Sequence, residues 1–275
     1  MMSVPKSHRW FQFRLRTLLI VVALCAIPLA WIGSEIQQRR RVKAAVAWIE
    51  KLGGRIDFHN DSDDWPLSDR VRAVRLHNPR ATDLSAIAEF PRIVNLSLRE
   101  TSVNDLTPLA ELQDLETLNL NNTRVTDLSP LTGLRHLRYI SLANTPVSDL
   151  TPLAESDCLE SISLTQTPVR DLTPLAQLKN LRGLFISDTR VTDLSPLAEL
   201  TTLERLTFRR TQIRDLTPLA GLINLRKVVL RETAVIDHTV FMRLTNLETL
   251  LVNRSLIDRD QMMQIVEALP ECKVN

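Results

Sequence analysis

The 275-residue chain is 44% hydrophobic and 24% charged with a net charge of +2, the balance of a folded globular protein rather than a disordered or collagen-like one. The charge is unevenly placed: residues 1–52 hold nine bases against Glu35 and Glu50, a local +7, while the remainder holds 25 bases and 30 acids, a local −5. The basic character thus belongs to the N-terminal segment and removes the case for nucleic acid as a partner of the folded part, and three scattered cysteines (Cys25, Cys158, Cys272) rule out a disulfide framework.

The first 16 residues form a basic segment with Lys6, Arg9, Arg14 and Arg16. Residues 17–34, TLLIVVALCAIPLAWIGS, carry no charge. As a helix they span roughly 27 Å, near the lower limit for crossing a hydrocarbon core. Trp10 and Trp31 fall where interfacial aromatics belong, and Pro28 is tolerable in a membrane. The segment is expected to be an uncleaved transmembrane anchor. A cleavable signal peptide is the competing reading, although the residues before Trp31 make a poor cleavage pattern, and a buried soluble helix is the third. Four bases on each flank leave the positive-inside rule nearly balanced; the favoured orientation, N-terminus inside with the large domain exported, rests in part on the family resemblance that the repeats carry.

Residues 35–54 read as a juxtamembrane helix with Ile36, Val42, Val46, Ile49 and Leu52 near one face, stopped by Gly53 and Gly54. It is expected to act as a stalk, with Arg39 to Arg41 as an alternative contact for anionic headgroups. Residues 55–70 form an N-terminal cap: a first strand in RIDFHN (Arg55 to Asn60) and a loop in DSDDWPLSD (Asp61 to Asp69).

Residues 71–255 repeat every 22 positions. Aspartate recurs at Asp83, Asp105, Asp127, Asp149, Asp171, Asp193, Asp215 and Asp237, and an apolar residue opens each unit from Val71 to Leu247 at the same step. One unit is LETLNLNNTRVTDLSPLTGLRH, Leu115 to His136. A fixed period of this length containing L-x-x-L-x-L signals a leucine-rich repeat. The predicted fold class is therefore α/β: a solenoid with a parallel sheet on the concave face and short helical turns on the convex face, preceded by one transmembrane helix. Leu115, Leu118 and Leu120 point inward from a short strand. A recurring threonine (Thr101, Thr123 and onward to Thr233) satisfies backbone groups where the chain leaves the strand. In D-L-[ST]-P-L-A the Ser or Thr before Pro is expected to cap a helical turn with its hydroxyl. The aspartates precede that turn, and their presence in every unit marks them as structural rather than catalytic. Both ends of the array depart from the pattern. Residues 256–275 form a C-terminal cap whose amphipathic helix presents Met262, Met263, Val266 and Leu269 and starts at Asp258 or Asp260.

The units, in particular VTDLSPLAEL from Val191 to Leu200, resemble the 22-residue leucine-rich repeats of bacterial internalins. The resemblance covers about Val71 to Leu256 and implies the solenoid fold. WFQFRLRTLL, Trp10 to Leu19, looks like the anchor of small bacterial exported repeat proteins, which implies a place in the cell envelope.

In such folds the concave sheet is the usual binding face. Its central column runs Arg75, Ser97, Asn119, Ser141, Ser163, Phe185, Thr207, Val229 and Leu251: small and polar at first, more apolar later. Arg205, Arg209, Lys227 and Arg231 flank the later half, with Arg210 and Arg254 beside them. A partner site is therefore expected at Phe185, Arg205, Thr207, Arg209, Lys227, Val229, Arg231 and Leu251, suited to a protein or peptide with acidic and apolar groups. A solvated face with ordinary variation between repeats is the alternative. His77, beside Arg75 and Arg99, is a weaker candidate for an anionic contact. No catalytic, metal or cofactor residues are expected: the six glycines form no phosphate loop and the five histidines lack metal spacing. The leading reading is a membrane-anchored protein-interaction module. A receptor for a glycan or other non-protein envelope ligand and a structural spacer are the alternatives; the scarcity of aromatics on the face, Phe185 and Tyr139 alone, favours a protein over a glycan.

Overall fold

The computed structural model describes residues 8–58, 67–235, 237–252 and 259–275, with the side chains of residues 8–19, 21–25 and 27–29 left aside. Helix α1 (His8–Lys51) is followed by strand β1 (Arg55–Phe58), the one-turn helix α2 (Leu67–Arg70) and strand β2 (Val71–Arg75). Eight further strands follow at one per repeat: β3 (Asn95–Ser97), β4 (Thr117–Asn119), β5 (Tyr139–Ser141), β6 (Ser161–Ser163), β7 (Gly183–Phe185), β8 (Arg205–Thr207), β9 (Lys227–Leu230) and β10 (Thr249–Val252). Helix α3 (Arg259–Ala268) and the two-residue strand β11 (Lys273–Val274) close the chain. All eleven strands among the described residues form one sheet in sequence order. From β2 to β10 every pairing is parallel, and each residue lies beside the one 22 positions on.

The register follows from the period. With side chains alternating across the sheet, a constant 22-residue step stacks like upon like. Leu96, Leu118, Ile140, Ile162, Leu184, Leu206, Val228 and Leu250 make one inward column, all at most 3% exposed. The second wall of the core is a row of 3₁₀ turns, most reading Ser/Thr-Pro-Leu, whose leucines Leu109, Leu131, Leu153, Leu175, Leu197 and Leu219 are fully buried. Proline suits the start of such a turn because its missing N–H is one that the turn leaves unused.

The turn is capped differently from the sequence expectation. It begins at the Ser or Thr itself, and the hydroxyl makes no capping bond to the turn. The aspartate two residues earlier accepts the backbone N–H instead: Thr107 N to Asp105 Oδ1 is 2.8 Å, and the contact recurs from Ser85 N to Asp83 through Thr239 N to Asp237. The Ser or Thr hydroxyl adds a second bond to the same carboxylate, as Ser85 Oγ does to Asp83 Oδ2 at 2.9 Å. These hydroxyl and amide donors hold the carboxyls of Asp105, Asp127, Asp149, Asp171, Asp193, Asp215 and Asp237 below the ordinary aspartate value. The aspartate column is thus a row of turn-closing acceptors.

The strand exit is built as the threonines suggest. Each of the seven is buried, and each hydroxyl donates to the carbonyl three residues back, from 2.6 Å (Thr167 to Leu164) to 3.2 Å (Thr233 to Leu230). The residue just before each threonine has a positive φ: Glu100, Asn122, Asn144, Gln166, Asp188, Arg210 and Glu232, between 49° and 61°. This left-handed step turns the chain off the sheet, and only Asn122, Asn144 and Asp188 are residue types that adopt it readily.

Both ends of the solenoid are covered. Helix α1 runs through the expected anchor and stalk as one element of 44 residues. Among the described residues no helix is long and apolar enough to cross a membrane, and most side chains of the expected span 17–34 lie outside that description. The last turns of α1 belong to the cap: Val42, Ala45 and Ile49 are at most 4% exposed and join the solenoid core, while Ile36 remains 49% exposed. The expected boundary at residue 54 between stalk and cap therefore falls inside the helix, near Val42. Gly53 (φ 75°) and Gly54 end it, with N–H bonds from Gly53 to Glu50 O and from Gly54 to Ile49 O. A Cβ on Gly54 would lie 2.6 Å from Ile49 Cγ2, so glycine lets the chain double back against its own helix. Strand β1 then pairs antiparallel with β2. His59 and Asn60 of the expected strand and most of the following loop lie outside the described residues, and its last part forms α2.

At the other end, α3 buries Ile265 and half-buries Met262, and Leu269 is buried just past its end, but Met263 and Val266 are about half exposed, so the buried face is rotated from the expected one. Asp258 lies outside the described residues, and Asp260 sits in the first turn of α3. Strand β11, unforeseen from the sequence, extends the sheet through Lys273 N to Glu248 O and Asn275 N to Leu250 O, both 2.9 Å. Cys158 and Cys272 are free thiols, and burial pushes the Cys272 thiol up.

Candidate partner-binding face

Three columns of side chains stand on the solvent face of the sheet, at the first and third positions of each three-residue strand and two residues further on. Their character changes along the array.

At the N-terminal end the bases have local partners. Arg75 Nη2 donates to Asp57 Oδ2 at 2.7 Å, Arg99 is bonded to Glu100 at 2.7 Å, and His77 Nε2 lies 2.9 Å from Ser97 Oγ. The weak expectation of an anionic contact at His77 thus meets a histidine already engaged with its neighbour. The middle of the face is small, polar and internally bonded: Asn121 Oδ1 accepts from Ser141 Oγ (2.7 Å) and from the Ala143 backbone (2.8 Å). Tyr139 is held by its hydroxyl on Glu160 at 2.8 Å, a bond that raises the phenol and, behind the Arg138 bond, helps lower Glu160.

The C-terminal half contains the eight expected site residues, and the register gathers them on β7 to β10 and the residues just beyond. Phe185, Thr207 and Leu251 are half-buried in the central column; Arg205, Lys227 and Arg231 are exposed beside it. Among the described residues no carboxylate forms an ion pair with these three bases. Val229 is a correction. It is only 7% exposed between Thr207 and Leu251, so the apolar patch is broken into Phe185 and Leu251 rather than continuous. Arg209 is partly committed: its guanidinium lies 3.9 Å from Glu232, its backbone N–H donates to Ser187 Oγ at 3.1 Å, and its buried Nε has no acceptor. Arg210 is taken up by Asp188, with Nη2 to Oδ2 at 2.8 Å, and that bond lowers the Asp188 carboxyl. Arg254 lies outside the described residues.

Gly183 has a specific part in this face. A Cβ there would sit 2.9 Å from Ser161 Oγ and 3.4 Å from Phe185 Cε2, so the absent side chain makes room for the Ser161 hydroxyl with the Phe185 ring alongside. The sequence reading passed over this glycine, which is the one glycine on the sheet columns.

A second feature missed from sequence lies along one rim, one position before the strands. Glu116, Arg138, Glu160, Arg182, Glu204, Arg226 and Glu248 alternate in sign at the 22-residue step. Arg138 reaches Glu160 at 2.6 Å and Glu116 at 3.8 Å; Arg182 pairs with Glu204 at 2.6 Å and Arg226 with Glu248 at 2.9 Å. Reading that column down the aligned repeats would have found it. Each such exposed pair adds less than about 1 kcal/mol.

Comparison with known proteins agrees with this geometry. The family described as Leucine Rich repeats (2 copies) matches residues 113–155 and 179–221. No curated protein matches the chain by sequence. Among solved structures, internalin C2 of Listeria monocytogenes is 31% identical with a TM-score of 0.64, over 68% of this chain and 82% of that one. An internalin F from the same organism is 29% identical with a TM-score of 0.65, over 72% of this chain and 60% of that one. A leucine-rich repeat protein of Leptospira interrogans shares the fold at 19% identity and a TM-score of 0.66, over 75% of this chain and 61% of that one. The 22-residue register, the parallel sheet and these likenesses together place the chain among the leucine-rich repeat proteins, with repeats of the internalin kind.

Proposed function

We propose that this chain is a binding module rather than an enzyme, that it takes a protein or peptide partner on the C-terminal half of its sheet face, and that its N-terminal helix anchors it in the bacterial cell envelope with the repeat domain exported. The observation that carries the partner reading is the set Arg205, Lys227 and Arg231, exposed and, among the described residues, without a carboxylate partner on a face where other bases are paired. A row of uncompensated cations beside the half-buried Phe185 and Leu251 suits a segment bearing acidic and apolar groups. The uncharged run 17–34, flanked by four bases on each side, supports the anchor.

Crosslinking on native membranes followed by mass spectrometry tests the partner reading. The triple variant Arg205→Ala/Lys227→Ala/Arg231→Ala and the single variant Phe185→Ala should each lose crosslinked proteins that the unaltered chain captures. An unchanged set of partners with both variants overturns the assignment of this face, and capture of glycans in place of proteins moves it to the other ligand class.

A further inference from the structure

The last turns of α1 are shared between the helix and the solenoid core, and this changes what the bases just before them can do. Val42, Ala45 and Ile49 are buried with the first repeats, and Asn78 Nδ2 donates to the Leu52 carbonyl at 2.9 Å, so the helix end is fixed to the array. Arg39, Arg40, Arg41 and Lys43 stand exposed one turn or less from that junction, and between Glu35 and Glu50 they are the only charges. At 3.6 residues per turn Arg39, Arg40 and Lys43 fall within about 100° of arc, centred about 130° from the buried residues, and Arg41 lies beyond that arc on the other flank of the buried face. Among the described residues only Arg39 of the four has an acidic contact, to Glu35 at 3.1 Å. Upstream on the same helix Trp31 is 67% exposed, with Ile32 and Ile36 about half exposed.

We infer that these four bases form a collar that docks on an anionic lipid surface and so fixes how the solenoid stands on the membrane. The inference rests on the anchor reading above. If the uncharged run ends in the bilayer at Ser34, the collar begins about 8 Å and ends about 14 Å further along the helix axis. That is at and just beyond the headgroup layer, within reach of long basic side chains and about one to two Debye lengths from the apolar boundary. Exposed Trp31 then lies at the interface, where indole rings are favoured. A flexible tether would let the domain swing. Here the helix that meets the lipid is continuous with the one that caps the core, so each base that engages acts on the orientation of the whole array. The surface-held population rises about fivefold for each engaged base.

The test uses the full chain, with Ala44→Cys carrying a fluorophore and the three native cysteines replaced, reconstituted in vesicles that contain headgroup-attached quencher. One set is phosphatidylcholine alone; the other includes roughly a third phosphatidylglycerol. Flotation with the vesicles reads the anchor, and quenching at position 44 reads the collar. Flotation with both sets, with quenching at least about twofold stronger on the anionic vesicles and reversed by high salt, is the expected result. The variant Arg39→Gln/Arg40→Gln/Arg41→Gln/Lys43→Gln should still float and lose the difference; its thermal unfolding checks that the cap is intact. A chain that floats with both sets and is quenched equally overturns the collar alone. A chain that floats with neither overturns the anchor and the collar together.

Discussion

The interior of the array and its two ends answer the same physical demand with different parts. An interior unit buries its leucines only because identical units lie on both sides, and it closes its own turns with one aspartate, one buried threonine and one left-handed residue. An end unit has one neighbour, and its open side must be covered by something unlike itself. The N-terminal side uses three buried positions of a long helix and an antiparallel strand; the C-terminal side uses a ten-residue helix and two residues of parallel strand. Repetition thus gives the interior redundancy, and each cap rests on a few single residues.

The largest effect should come from the middle. Leu153→Ala leaves a cavity in a fully buried layer with no helix or loop able to collapse into it, and should cost about 3–5 kcal/mol, read as a lowered chemical-denaturation midpoint. Ile49→Ala at the N-terminal cap should cost about 2–3 kcal/mol, seen as faster amide exchange confined to β1, β2 and β3. Equal acceleration at β9 and β10 would show that the cap supports the whole array and would erase the distinction drawn here. Thr167→Val removes a buried hydroxyl that satisfies the Leu164 carbonyl and should cost about 1–2 kcal/mol in thermal unfolding. In the opposite direction, Gln166→Asn relieves a left-handed residue at φ 59° and should raise stability by about 0.5–1 kcal/mol. Asn122 and Asn144 in neighbouring units show that the turn accepts the side chain.

A single aspartate should matter least at neutral pH. The folded-state carboxyls of this column are depressed, so their contribution is present above the unfolded aspartate value of about 4 and is lost as pH falls through the lower folded value. Asp171→Asn keeps an acceptor for the Thr173 N–H and should therefore leave the neutral midpoint nearly unchanged while flattening the acid limb. An acid limb as steep as that of the unaltered chain would separate these carboxylates from acid unfolding.

The periodic part of the fold was legible because a constant step of 22 dictates both register and burial; the nine parallel strands, the inward leucines and the threonine turns follow from it. What the sequence reading missed lies where periodicity stops or where two chemistries fit one residue type. Either the hydroxyl of Thr107 or the carboxylate of Asp105 is a plausible cap by composition, and only the start of the 3₁₀ turn at Thr107 decides for the aspartate. The cap at Val42, Ala45 and Ile49 was hidden inside a helix whose pattern suits a stalk as well. Strand β11 is two residues long, too short for any period. On the sheet face Val229 was judged by column alone, and with Thr207 and Leu251 on either side it is only 7% exposed.

The alternating rim from Glu116 to Glu248 has a consequence for how the array can grow or shrink. Loss of the single unit between Arg138 and Arg182 would set guanidinium beside guanidinium, and duplication of one unit would do the same for either sign. Removing or adding two units restores the alternation. Parity, written along one edge in charge, therefore favours descendants of this solenoid that change length by even numbers of coils.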